Sequence, residues 1–307
     1  MPHSTEKLNV FTEFIEKYRD DPVQFVRDIL EEEPDEWQKK VMEESMHSRL
    51  LAVKSGHGVG KSTCAAWLMM HHMLCYYPQK TVCTAPTASQ LFDALFAELK
   101  SQLIRLPPAL NKLFEVFSER IVLKADPSGS FISCRTARKE TPEALQGIHS
   151  DKVLIIVDEA SSVDDAIFSA AGGSLSGNAT LLLLGNPTRA EGYFHDAFTR
   201  LADRWWTLTV NCEQSPRVKK EYLEEMAERY GIDSNTYRIR VLGEFAETSD
   251  DTIISNELVE SAVTRDVEPT KSNISWGLDV ARYGSDKSAL CKRRGNTVME
   301  PIKSWAK

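Results

Sequence analysis

The sequence predicts an α/β fold, a mainly parallel β-sheet flanked by helices, and three observations lead there. Continuous apolar runs of strand length recur at residues 50–54, 153–157 and 181–184. A run that is apolar at every position suits a strand covered on both faces, as in a parallel sheet between helices. Helically patterned segments separate these runs along the chain, which is the alternation of a doubly wound domain. The third observation is a glycine-rich turn, Gly56 to Gly60, lying between the first apolar run and a helical segment.

The elements follow in order. Residues 12–48 read as amphipathic helix, interrupted at Asp21-Pro22 and again at Pro34-Asp35, because proline cannot continue a helix. A strand at 50–54 leads into the turn, and a helix over 62–76 leaves it. A second strand at 81–85 precedes Pro86 and a helix over 88–103. Residues 121–124 and 130–134 form a hairpin around Asp126-Pro127-Ser128-Gly129. Strands at 153–157 and 181–184 follow, then a charged helical stretch over 216–243. The polar run from Glu247 to Asp251 opens a linker towards a new strand at 274–280. The expected organisation is therefore a first domain at 1–247 with a helical lead-in at 1–48, a linker at 248–272, and the start of a second domain at 273–307.

Composition narrows the function classes. Of 307 residues 42% are hydrophobic, enough to bury a sizeable core. No apolar run approaches the roughly 18–20 residues a membrane span needs, and the N-terminus has no signal-peptide pattern. A soluble intracellular protein without membrane association is expected. The cysteines at 64, 75, 83, 134, 212 and 291 are scattered and lack zinc spacing, so they read as reduced, mostly buried thiols. A net charge of −8 gives nucleic acid no bulk attraction, so such a partner needs local basic patches. Arg135, Arg138 and Lys139 offer one, and a solvated charge run is the plainer alternative.

The chemistry begins at the turn. Binding a phosphate chain requires backbone N–H groups curled around its oxygens, a lysine reaching the β- and γ-phosphates, and a hydroxyl for Mg²⁺. Ser55, Gly56, His57, Gly58, Val59, Gly60, Lys61, Ser62 and Thr63 supply that set, with one departure: the first position of the G-x-x-x-x-G-K-[ST] pattern is Ser55 rather than glycine. The second half of the site is the strand at 153–157, which ends in Asp158 and Glu159. The aspartate suits the Mg²⁺ shell and the adjacent glutamate can polarise an attacking water. Together they specify a P-loop NTPase of the additional-strand, glutamate-using type, with ATP and Mg²⁺ as cofactors. By itself an Asp-Glu pair after a strand would read as a surface turn.

With these motifs placed, the chain resembles the large terminase subunit of tailed bacteriophages, a motor that packs DNA into procapsids. The resemblance runs through Pro34-Asp35-Glu36-Trp37-Gln38, Thr84-Ala85-Pro86-Thr87, Ala144-Leu145-Gln146-Gly147-Ile148-His149, Leu184-Gly185-Asn186-Pro187-Thr188, residues 237–245 (YRIRVLGEF) and Gly277-Leu278-Asp279-Val280-Ala281. It implies ATP hydrolysis coupled to translocation of double-stranded DNA. It also implies a homo-oligomeric ring, a small terminase subunit and a portal protein as partners, and residence in the host cytoplasm with transient binding to the procapsid. Gln38 then resembles the adenine-reading glutamine, its amide offering a donor and an acceptor; an ordinary helix-surface glutamine is the alternative. Asn186 resembles the residue that couples γ-phosphate loss to movement, although Gly-Asn-Pro also suits a plain β-turn. An arginine finger is expected on electrostatic grounds. The loop offers Lys54 and His57 instead of an arginine, leaving Arg138, or Arg135, to act from a neighbouring subunit.

Beyond the linker, residues 276–281 resemble the first strand of an RNase H-like nuclease, with Asp279 as candidate metal ligand and Asp286 as a second. A two-metal site needs further carboxylates from later elements, and the chain reaches Lys307 after roughly one more strand. No nuclease activity is expected from this polypeptide alone, and an unpaired, partly apolar edge is expected there. Two other function classes fit the residues: a helicase-like ATPase, and a catalytically silent module docking the small subunit or portal.

Overall fold

The computed structural model describes residues 12–136, 145, 147–169, 178–247, 262–263, 265, 267–268, 270–281 and 287–305. The chain divides into two compact units, Met1–Ala246 and Glu247–Lys307.

The first unit is built on an eight-stranded sheet. Its strands are β1 (Leu50–Ser55), β2 (Gln79–Thr84), β3 (Phe114–Val116), β4 (Arg120–Leu123), β5 (Ser130–Cys134), β6 (Lys152–Val157), β7 (Ala179–Gly185) and β8 (Trp206–Val210). The spatial order is β3-β4-β5-β2-β6-β7-β1-β8. The six strands from β5 to β8 in that order pair in parallel, while β4 and β3 close one edge antiparallel. One additional strand, β7, separates β1 from β6. The ends of all three meet at the carboxyl edge of the sheet, where ligands of open α/β sheets bind.

The reason for the apolar runs is visible in the packing. Leu51 and Val53 of β1, Leu154 and Ile156 of β6, and Leu182 and Leu184 of β7 enter one core. Ala52, Ile155, Val157, Leu181 and Leu183 enter the other, on the opposite face. Burying a Leu, Ile or Val side chain stabilises by about 1.5–3 kcal/mol, so these core positions tolerate a polar residue poorly.

Four helices pack on the first of these cores, and the short helix Tyr193–Phe198 with Ile167 and Phe168 covers the second. α1 (Glu36–Glu44) starts at Asp35, whose backbone and side chain form a capping box with Gln38. α2 (Lys61–Cys75) is buried nearly all round, from Cys64 to Cys75. Residues 90–95 wind as a π-helical turn into α3 (Phe96–Ile104). α4 (Lys220–Tyr230) stops at Gly231, and the short turns Asn235–Tyr237 and Arg238–Leu242 replace the continuous helix expected over 216–243. The hairpin of β4 and β5 forms in the register Arg120↔Ser133. Two strands of this sheet escaped the sequence reading: β3, three residues long, and β8, an edge strand whose first four residues alternate half-buried and exposed. All six cysteines are free thiols, five of them buried.

Among its described residues the second unit has four strands where two were expected: β9 (Ile274–Asp279), β10 (Ser288–Arg294), β11 (Thr297–Val298) and β12 (Lys303–Trp305). β10 pairs antiparallel with the other three. Among the described residues no helix is long and apolar enough to cross a membrane.

Candidate active site

The loop after β1 is held from behind. The Gly56 N–H donates to the Val210 carbonyl at 3.0 Å and the His57 N–H to the Arg240 carbonyl at 2.8 Å. These contacts tie the turn to the end of β8 and to the 238–242 turn. A Cβ on Gly56 would collide with the Cys212 sulfur and come within 2.6 Å of the Val241 carbonyl oxygen, so this position requires glycine for close approach. Burial pushes the Cys212 thiol up to about 11, which keeps it protonated and able to donate to the His57 carbonyl at 3.2 Å. Gly60 caps α2 with φ +91°, a left-handed conformation glycine adopts without penalty. Ser55 is the last residue of β1, where its backbone has no need of positive φ. That is why a serine is accommodated at the pattern's first glycine.

Lys61 is the hub. Its Nζ lies 3.3 Å from the Ser55 hydroxyl, 3.2 Å from Asn186 Oδ1 and 3.8 Å from Glu159 Oε1. Asn186 Nδ2 donates to the Ser55 carbonyl at 2.6 Å, and its backbone N–H reaches Glu159 Oε2 at 3.5 Å. The ends of β1, β6 and β7 are therefore stitched together by Lys61, Glu159 and Asn186. Asp158 is 4% exposed. Burial, then the neighbouring Glu159 charge, pushes its carboxyl up to about 6, with Lys61 opposing. Glu159 sits at φ +49°, a conformation that costs a non-glycine residue about 1–2 kcal/mol. It persists where surrounding structure over-determines it: the Glu159 N–H donates to Asp158 Oδ1 at 3.0 Å.

The candidate loop cations are otherwise engaged. Lys54 is buried and ion-paired with Glu244, under the rings of Phe198 and Phe245. The His57 imidazole is held below its usual range by burial first and then by Lys61, so it is neutral near pH 7. Among the remaining loop residues, Val59 is buried, Gly58 takes φ +75°, and Thr63 donates to Glu98 of α3 at 3.0 Å. Ser62 stands half-buried in the first turn of α2.

Gln38 is fully buried against the loop. Its Nε2 donates to the Gly60 carbonyl at 3.1 Å, and its Oε1 accepts from the Asp35 N–H at 2.8 Å and from Arg217 Nη2 at 3.4 Å. Arg217 also donates from Nε to Asp35 Oδ2 at 2.8 Å. Sequence reading missed Arg217, Cys212 and Glu244. They lie more than a hundred residues from the loop as ordinary polar side chains, and only the 237–245 motif hinted that this segment mattered.

Arg138, Lys139, Ala144 and Gln146 lie outside the described residues, as does Asp286. The Arg135 N–H donates to the Cys83 carbonyl at 2.9 Å, and burial lowers its guanidinium. Asp279 ends β9, opposite Ala289, and is exposed. No group of three or more His, Cys, Asp or Glu able to hold a metal stands together among the described residues.

Residues 53–261 match the family described as "Terminase large subunit, T4likevirus-type, N-terminal". The chain is 32% identical over 283 residues to the "Probable terminase, large subunit" of Enterobacteria phage P7, covering 86% of this chain and 56% of that protein. It thus spans about half the length of the curated relative it matches. The large terminase ATPase domain of Thermus phage P74-26 is similar with a TM-score of 0.56 at 16% identity, covering 73% of this chain and 98% of that one. The large terminase of the thermophilic bacteriophage D6E, solved in complex with ADP, gives 0.57 at 14% identity over 84% and 64%. At those identities the likeness is one of fold, and the fold is a P-loop α/β domain.

Proposed function

This chain belongs to the terminase large subunits, and from that membership we propose that it is an ATP-hydrolysing motor subunit that drives double-stranded DNA into a procapsid. The observation that carries the reading is the convergence of Lys61, Glu159 and Asn186 at the carboxyl ends of β1, β6 and β7.

The N-terminus of the fifteen-residue helix α2, with Gly56 to Gly60 curled before it, suits a phosphate chain. Lys61 binds the β- and γ-phosphates. Oxygen donors are what Mg²⁺ takes, and the Ser62 hydroxyl and the Asp158 carboxylate are such donors. A divalent cation beside Asp158 would also offset the burial that raises its carboxyl, so the residues fit the ion. When bound, Mg²⁺ supplies charge neutralisation across the phosphates. Glu159 accepts a proton from, and orients, the attacking water. Asn186 touches both Lys61 and the end of β1, so a change at the phosphate is felt at β7.

Gln38 is proposed for the base. Arg138, or Arg135, is proposed to stabilise the transferred phosphoryl group of a neighbouring subunit in a homo-oligomeric ring. The proposed partners are double-stranded DNA, a small terminase subunit and the portal, in the host cytoplasm. The proposed domain limits are 1–247, 248–272 and 273–307, with Asp279 a metal ligand of the second domain.

Titration with ribose-labelled fluorescent ATP and Mg²⁺ tests the nucleotide assignment. Lys61→Ala should weaken binding at least about tenfold, or 1.4 kcal/mol. Equal binding by variant and wild type would remove the loop from the account.

A further inference from the structure

Asp35, Arg217 and Gln38 form a clasp against the phosphate loop that hydrolysis itself does not use. Arg217 comes from the turn after β8. Its guanidinium pairs with Asp35 and lies 5.9 Å from the ring centre of Trp67 in α2. Its stem passes beside Gly60, where a built Cβ would lie 3.0 Å from Arg217 Cδ and 3.1 Å from Gln38 Nε2. A cleft of about 390 Å³ borders the clasp, lined by Asp35, Glu36, Trp37, Val210, Ser215 and Pro216 among others.

The hydrogen-bond count at Gln38 is what matters. An amide oxygen has two lone pairs, and here both are taken, one by the Asp35 N–H and one by Arg217. Gln38 is fully buried, so no ligand reaches that oxygen while Arg217 stays. Adenine presents an acceptor at N7 and a donor at its 6-amino group, whereas guanine presents acceptors at both N7 and O6. A free glutamine amide, with one donor and one acceptor, matches adenine. Gln38 Nε2 is likewise buried and donates to the Gly60 carbonyl, so Arg217 is left as the donor, which N7 of either purine and O6 of guanine accept alike.

Building on the ATP reading above, we infer that Arg217 is a specificity-determining residue of the nucleotide site. It holds the Gln38 carbonyl that an adenine 6-amino group needs, and its guanidinium offers a donor to a 6-keto purine instead. The wild-type site therefore discriminates weakly between ATP and GTP, and removing Arg217 sharpens selection for ATP.

The test is titration of the full chain with ribose-labelled fluorescent ATP and GTP. The proteins are wild type, Arg217→Met and the double variant Arg217→Met/Gln38→Ala. Arg217→Gln replaces Arg217→Met should the latter fail to fold. Wild type should bind the two nucleotides within about threefold of each other. Arg217→Met should raise the GTP-to-ATP Kd ratio about tenfold, the scale of one well-placed hydrogen bond. The double variant should bring the ratio back to within about threefold. A ratio unmoved by Arg217→Met, with both nucleotides weakened alike, would overturn the inference and leave Arg217 a brace of the loop. Failure of wild type to bind either nucleotide would overturn the ATP reading, and this inference with it.

Discussion

One strand of this chain runs into an aspartate and another ends in one, and their surroundings differ in every respect that matters. β6 runs into Asp158 with β2 on one side and β7 on the other, and all its residues after Lys152 are buried. β9 ends at Asp279, and its residues Ile274, Trp276 and Leu278 are 45%, 64% and 59% exposed. Asp158 shares its corner with Lys61, Glu159 and Asn186. The letters are similar; burial on both faces gathers polar groups at one strand end and not at the other.

Truncation inside the two strands should break this symmetry most sharply. Ile156→Ala, at a position with no exposure, should cost about 3–4 kcal/mol in urea unfolding. Leu278→Ala should stay within about 0.5 kcal/mol, as surface changes do. Comparable losses would mean that β9 is covered in solution. The loop behind β1 comes next. Gly56→Ala puts a methyl against Cys212 and the Val241 carbonyl and should cost about 3 kcal/mol by overpacking, read as a lowered melting temperature.

A smaller effect isolates Asp158 itself. Its folded-state carboxyl is raised from 3.8 to about 6, so the native state holds the proton more tightly than the unfolded chain. That contribution to stability is complete below about pH 4 and is lost as pH rises through 6. Asp158→Asn should therefore be more stable than wild type by about 2–3 kcal/mol at pH 8 without divalent cations, and equal to it at pH 4. Urea midpoints at the two pH values measure this, and a gain that persists at pH 4 would contradict it.

The smallest effect is at Lys54. Glu244→Ala leaves a buried cation unpaired, and should cost about 1–2 kcal/mol once the exposure of Glu244 is discounted. Adding Lys54→Met should restore most of that loss. Additive losses in the double variant would show that packing, not charge, links the 237–245 segment to β1.

What could be read from the sequence follows the same division. β1, β6 and β7 were legible because burial on two faces leaves continuous apolar runs. β8 was not, because an edge strand alternates and its Trp-Thr-Leu-Thr-Val could equally be loop. Lys61, Asp158 and Glu159 were legible as a group because each follows closely on the end of an apolar strand, and the structure brings them together. The backing of the loop was not: Gly56 needs glycine because of Cys212 and Val241, which the chain brings back only after five more parallel strands. Gln38 was legible as a residue type, but its hold on Gly60 and its capture by Arg217 depend on side-chain geometry that no local pattern encodes.

The most direct test of the account is phosphate release from ATP with Mg²⁺, by wild type beside Lys61→Ala and Glu159→Gln. Duplex DNA and partner subunits are present in one arm and omitted in the other. The account predicts release by wild type that both variants slow by about a hundredfold or more. Release by wild type no faster than by the two variants, in either arm, would contradict it and leave the chain a docking module.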